Sequence, residues 1–145
     1  MIKETRIATI LPYKENYTVS KAQAAAIWVN DFFRYSKYKK NNFIFGNTDT
    51  NDYLTKNYIN VQLNKKTSKF SSTTNEYCDN FIKISNEYNF DIIEIHNRPL
   101  VFNYLSNKIG SKFILYFHND PISMKGSKTV SERLLLLKNV DKIIF

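Results

Sequence analysis

The stretch from Asp91 to Asp120, DIIEIHNRPLVFNYLSNKIGSKFILYFHND, constrains the fold more than any other part of the chain. Two apolar runs close on the same dipeptide, His96-Asn97 and His118-Asn119. Between them Pro99 opens a helical pattern and Gly110 closes it. Strand, helix and strand of these lengths make a parallel βαβ crossover. Both strand ends then lie side by side on one edge of a sheet. In open α/β sheets that edge is where ligands bind.

The flanking sequence keeps the alternation. Arg6 to Leu11 reads as a buried strand stopped by Pro12. Pro12 to Val19 is a polar loop. Ser20 is placed to cap a helix running to about Tyr35, with Ala22, Ala25, Ala26, Val29, Phe32 and Phe33 on its apolar face. Phe43 to Gly46 and Tyr58 to Leu63 read as strands, separated by a polar loop, and Asn64 to Thr74 reads as loop. Thr73 and Glu76 match a capping box ahead of a helix that buries Tyr77, Phe81, Ile84 and Tyr88.

Strands at Ile92–His96 and Lys112–His118 follow, then a loop from Pro121 to Ser127. Thr129 with Glu132 opens a short helix carrying Leu134 to Leu137, and Asp141 to Phe145 reads as a last strand. The order β-α-β-β-α-β-α-β-α-β predicts an α/β fold. It is a three-layer, Rossmann-like, doubly wound parallel sheet of about six strands with helices on both faces. Right-handed crossovers place the first strand beside Ile92–His96, with Lys112–His118 next outward. One domain is expected over residues 1–145. A chain that stops on a strand reads as a piece of a longer one.

Composition narrows the partners. Of 145 residues, 43% are hydrophobic and 15% aromatic, which a disordered chain would not show. No apolar run approaches a membrane span, and the opening MIKETRIATIL is too short and too charged for a signal peptide. The single cysteine, Cys78, allows no internal disulfide, fits a reducing cytoplasm and reads as inert packing. A net charge of +8 favours anionic partners, although the lysines are spread along the chain as a solvated face would have them.

His96 and His118 are the only histidines, and both fall at strand ends. His118 can donate a hydrogen bond to a hydroxyl or act as acid or base near neutral pH, with Asp120 placed to orient it. Arg98 can grip a phosphate or carboxylate with its planar fork. Glu94, inside an apolar strand, should be paired or near the edge. The Ser20-Lys21 helix start offers backbone N–H groups to an anion. No glycine occurs before Gly46, so the dinucleotide fingerprint and the P-loop are both missing. Two histidines and one cysteine lack zinc spacing, and no metal or other cofactor is expected. Trp28 and the tyrosines read as core and interface bulk. Basic-plus-aromatic composition also suits single-stranded nucleic acid, but the aromatics follow helix and strand periods, so no nucleic-acid partner is expected.

The strand endings Ile95-His96-Asn97-Arg98-Pro99 and Tyr116-Phe117-His118-Asn119-Asp120-Pro121 resemble the N-terminal domain of two-domain retaining glycosyltransferases of GT-B fold, the large family 4 group. The likeness spans nearly the whole chain, from the Arg6 strand and the Ala-rich helix to the closing Val140-Asp-Lys-Ile-Ile-Phe145 strand. It implies an acceptor-side domain, with a C-terminal nucleotide-sugar-binding domain as its missing partner and transfer in the cleft between them, without a bound metal. It implies that His118 is the catalytic candidate, lining the cleft near the transferred sugar. His96, Asn97 and Arg98 would form a neighbouring acceptor wall, with Asn119 and Asp120 beyond His118. Pro12, Tyr13, Ser20 and Lys21 would line the opposite wall. Family members often carry glycines in the first loop, where this chain has Tyr13-Lys14-Glu15-Asn16-Tyr17. That departure counts against close backbone approach to a phosphate there and leaves open whether the loop contacts one. Without the donor half the 145 residues are not expected to catalyse transfer alone.

The implied acceptor is a cell-surface polysaccharide, lipopolysaccharide or glycolipid, either a sugar or lipid-linked. It would be met in the cytoplasm or at the anionic inner face of the cell membrane. The competing reading is a non-catalytic α/β domain that binds an anionic small molecule or a partner protein.

Overall fold

The computed structural model describes residues 3–64 and 72–145. The part of the expected Asn64–Thr74 loop at 65–71 lies outside them. Ten main elements follow the expected order: β1 (Ile7–Ile10), α1 (Ala24–Tyr35), β2 (Asn42–Gly46), β3 (Tyr58–Asn60), α2 (Thr73–Ser85), β4 (Ile92–His96), α3 (Pro99–Ser106), β5 (Lys112–Tyr116), α4 (Val130–Asn139) and β6 (Lys142–Ile144). A 3-10 turn, Pro121–Ser123, follows β5. The six strands form one sheet in the order β3-β2-β1-β4-β5-β6, and every pairing is parallel. This is a three-layer, Rossmann-like arrangement with β1 beside β4 and β5 next outward.

Alternation sorts the side chains between the two faces. Ala8, Ile10, Phe45, Ile93, Ile95, Phe113 and Leu115 pack against Tyr77 and Phe81 of α2, Val101, Phe102 and Leu105 of α3, and Leu136 of α4. Each such large side chain, fully buried, contributes roughly 1.5–3 kcal/mol relative to exposure. The opposite face is smaller: Ile44 and Tyr58 meet Ala26 and Val29 of α1, with Leu11 and Tyr17. Three helices therefore cover one face and α1 alone covers the other.

Several boundaries differ from the expectation, each for a local reason. Helix α1 begins at Ala24, not after Ser20, and its N-cap Gln23 makes no side-chain capping bond. The Ser20 N–H donates instead to Asp52 Oδ2 at 2.8 Å. Glu15, in the loop before the helix, takes the capping role. Its Oε1 accepts from the N–H groups of Ala25 at 3.0 Å and Ala26 at 3.2 Å. A carboxylate there satisfies unpaired donors and meets the positive end of the helix dipole. Phe32 is not on the buried stripe: it is 52% exposed and stacks on Trp28, itself 39% exposed.

The cap of α2 is Ser72, one residue before the expected Thr73, and it accepts from the Asn75 N–H. Glu76 accepts from the Asn64 N–H, so it does not close a box on Thr73. Helix α3 stops at Ser106, ahead of Gly110, where the N–H groups of Lys108 and Ile109 both turn to the Leu105 carbonyl. Strand β3 ends at Asn60 and β5 at Tyr116, each shorter than expected. Past Tyr116 the His118 N–H leaves the ladder for the Asn97 side chain. The Thr129–Glu132 capping box forms as expected. Of the leucines it introduces only Leu136 is buried.

Candidate functional site

The register pairs His96 of β4 with Tyr116 of β5, so both strands reach the same edge together. Asn97 then turns the chain out with φ 52°, a left-handed conformation that Asn tolerates better than most residues. Its N–H donates to the Tyr116 carbonyl at 2.8 Å, and its Oδ1 accepts from the His118 N–H at 2.7 Å. Asn97 thus clamps the two strand ends to each other. The result is direct contact between the histidines: His96 Nδ1 lies 2.8 Å from His118 Nε2.

Aromatic rings enclose the pair. His96 stacks on Tyr116, centroids 4.5 Å apart and planes at 5°. Trp28 of α1 stands edge-on to His118 at 5.1 Å and lies 5.7 Å from His96. His96 is 1% exposed, whereas His118 is partly exposed. Burial, with His118 adding to it, holds the His96 pKa down to about 3. Burial also lowers that of His118, and the charge of Glu15 pulls it the other way. Both rings are neutral at neutral pH, so the contact is a hydrogen bond between one N–H and one lone pair.

Beneath the histidines on the same sheet face lies Glu94. Its Oε2 accepts from the Thr9 hydroxyl at 2.9 Å and its Oε1 from the Tyr116 hydroxyl at 3.4 Å. Glu94 is therefore paired, as expected, but to hydroxyls and not to a cation. Burial raises its pKa, and the two hydroxyls oppose the shift. Tyr116 is raised by burial first and by Glu94 second.

A second cluster adjoins the pair through Asn97. The Arg98 guanidinium sits 5.6 Å over the Tyr13 ring and donates to the Asn97 carbonyl. Tyr13, Lys14, Asn97, Arg98, Ser123 and Lys125 are among the residues lining an open cavity of about 300 Å³. Pro12 is buried at the root of this loop, and the Leu11 carbonyl accepts from the Tyr77 hydroxyl at 2.8 Å.

The structure thus joins His96, His118, Asn97, Arg98 and Tyr13 through direct contacts. Ser20 and Lys21 lie exposed in the loop held by Asp52, ahead of α1. Asn119 is exposed. Asp120 does not orient His118. It caps the following turn by accepting from the Ile122 N–H at 3.0 Å. The side chain that hydrogen-bonds the His118 ring is His96. Cys78 is buried, with its thiol pushed up to about 12 by burial, and takes no part.

Four residues at the site were not assigned to it from the sequence, although Glu94 stood out as a carboxylate inside an apolar strand. Tyr116 and Glu94 each stand two positions before a histidine, and the strand period puts them on its face. Trp28 carried no such signal, because its place depends on how α1 crosses the sheet. Glu15 lay in a loop that looked merely polar.

A Rossmann-like α/β domain with a clamped pair of imidazoles at the carboxyl edge of its central strands is the class these features define. Among solved structures the chain is similar to sucrose-phosphate synthase from Thermosynechococcus elongatus, with TM-score 0.62 and 16% sequence identity. The likeness covers 96% of this chain and 41% of that one, so this chain spans less than half the length of the protein it matches. At this identity the likeness is one of fold alone. No family model matches the chain, and no curated protein matches it.

Proposed function

We propose that this chain is the acceptor-side domain of a two-domain GT-B glycosyltransferase, family 4-like and retaining. Its reaction moves a sugar from a nucleotide-sugar to a cell-surface polysaccharide, lipopolysaccharide or glycolipid acceptor. The observation that carries this reading is the contact between His96 and His118 at the strand edge where α/β sheets bind ligands. The fold shared with sucrose-phosphate synthase is consistent with it.

In this reading His118 faces the transferred sugar. Asn97 holds it in place, and Arg98 with Tyr13 and Lys14 borders the acceptor. The donor's nucleotide is held by a second domain outside these residues. Departure of a diphosphate leaves charge to be stabilised, and an acceptor hydroxyl must be held in line. Closure of the two domains excludes water from that step. A chain of net charge +8 suits a lipid-linked acceptor at an anionic, cytoplasmic membrane face. Among the described residues no helix is long and apolar enough to cross a membrane.

The test uses the full-length gene product and measures sugar transfer from a panel of nucleotide-sugars to membrane extracts. His118→Ala should lower turnover by about 100-fold or more while the amide spectrum stays that of the folded protein. Turnover equal to the unaltered enzyme would remove His118 from the mechanism. No transfer from any donor by the unaltered protein would count against the reading as a whole.

A further inference from the structure

One ring nitrogen of His96, Nε2, is buried and has no hydrogen-bond partner among the described residues. The other, Nδ1, lies 2.8 Å from His118 Nε2. Two neutral imidazoles place one proton in such a contact, and there are two ways to do it. In the first, His118 Nε2–H donates to His96 Nδ1. His96 must then carry its own proton on Nε2, where a buried N–H meets no acceptor. In the second, His96 Nδ1–H donates to His118 Nε2, and His96 Nε2 is left as a free lone pair. Orphaned buried N–H groups are rarer than under-used acceptors. The second arrangement is favoured, and it leaves only Nδ1 to carry the proton of a neutral His118.

We infer that His96 is a positioning residue: it fixes the proton of His118 on Nδ1 and so makes His118 a hydrogen-bond donor to a ligand oxygen, not a base. The identity of that oxygen, a sugar hydroxyl or phosphate oxygen, rests on the glycosyl-transfer reading, while the proton's position does not. Protonating His118 would put a hydrogen on Nε2 facing His96 Nδ1. His96 would then have to move its own proton to the partnerless Nε2. The pair therefore resists protonation as a unit. The groups that face it are Trp28 from α1, Tyr116 from β5 with Glu94 behind it on β4, and Glu15 from the loop after β1. Glu15 alone favours an imidazolium at His118, and its carboxylate is engaged by the N–H groups of α1.

The test is a two-bond 1H–15N correlation spectrum of the 15N-labelled chain, which reports which nitrogen of each imidazole bears the proton. Both His96 and His118 should show a protonated Nδ1 and a bare Nε2 at neutral pH. His118 should keep that state below the pH at which a free imidazole titrates. His96→Phe keeps a ring on Tyr116 but removes the Nδ1–H. In that variant His118 should lose its single tautomer and titrate closer to the ordinary imidazole value. A bare Nδ1 on His118 in the unaltered protein overturns the inference, and so does a His118 signal that His96→Phe leaves unchanged. If the variant does not fold, the unaltered protein's spectrum decides alone. Failure of the transfer assay would sink the glycosyl-transfer reading and leave this result standing. A bare Nδ1 would sink this inference even in an active transferase.

Discussion

A His96 ring held neutral down to about pH 3 makes the fold sensitive to acid. In the unfolded chain the same ring titrates near the ordinary value of about 6.5. Between those two values the unfolded chain binds a proton that the folded protein refuses. The contribution of His96 is therefore complete above the unfolded value. It is lost as pH falls through the window, by roughly 1 kcal/mol for each pH unit. Glu94 has the opposite sign. Its folded pKa is raised, so its contribution is present in acid and falls as pH rises above the unfolded carboxyl value. Urea midpoints compared at about pH 7 and about pH 5 test the first claim, since an unperturbed imidazole titrates between them. The midpoint should drop on acidification, and His96→Phe should make that drop shallower. An unchanged drop in the variant would assign the acid sensitivity to another group. At this scale the sequence marked both histidines, because each closes an apolar run. It did not reveal that they touch, which requires the Asn97 clamp and a shared strand register.

Elements were legible where the signal was local. The order of strands and helices, the parallel sheet and the Thr129–Glu132 cap all followed from periodicity and spacing. The start of α1 was not, because two distant carboxylates compete for the same stretch of backbone. Asp52, 32 residues on, takes the Ser20 N–H and keeps Ser20 out of the helix. Glu15 takes Ala25 and Ala26 from the other side. Glu15→Ala should therefore cost about 1–2 kcal/mol of stability in urea unfolding, as loss of a cap does. It should also free those N–H groups, so that added pyrophosphate raises the melting temperature of the variant more than that of the unaltered chain. Equal stability of the two proteins would show that α1 does not depend on this cap. The early end of α3 has a similar origin. Gly110 looked like a stop signal, but the carbonyl of Leu105 had already gathered two donors.

On the scale of the whole molecule the layers are unequal. Three helices bury the larger apolar face and one helix serves the other. Helix α4 is held by a single leucine: Leu136 is 2% exposed, while Leu134 and Leu137 are 61% and 65% exposed. Leu136→Ala should cost about 2–5 kcal/mol, the range for a buried leucine. Leu134→Ser should stay within about 0.5 kcal/mol. Chemical unfolding of the two variants separates them, and similar costs would mean that α4 is packed differently. The sheet itself finishes on each side in a strand of three residues, β3 and β6, and β6 starts with Lys142. A border as brief as β3 gives a neighbouring molecule only a short ladder of free backbone groups to zip onto. Sheet growth is thereby disfavoured at the β3 border, and the exposed leucines of α4 offer copies a side-chain contact instead.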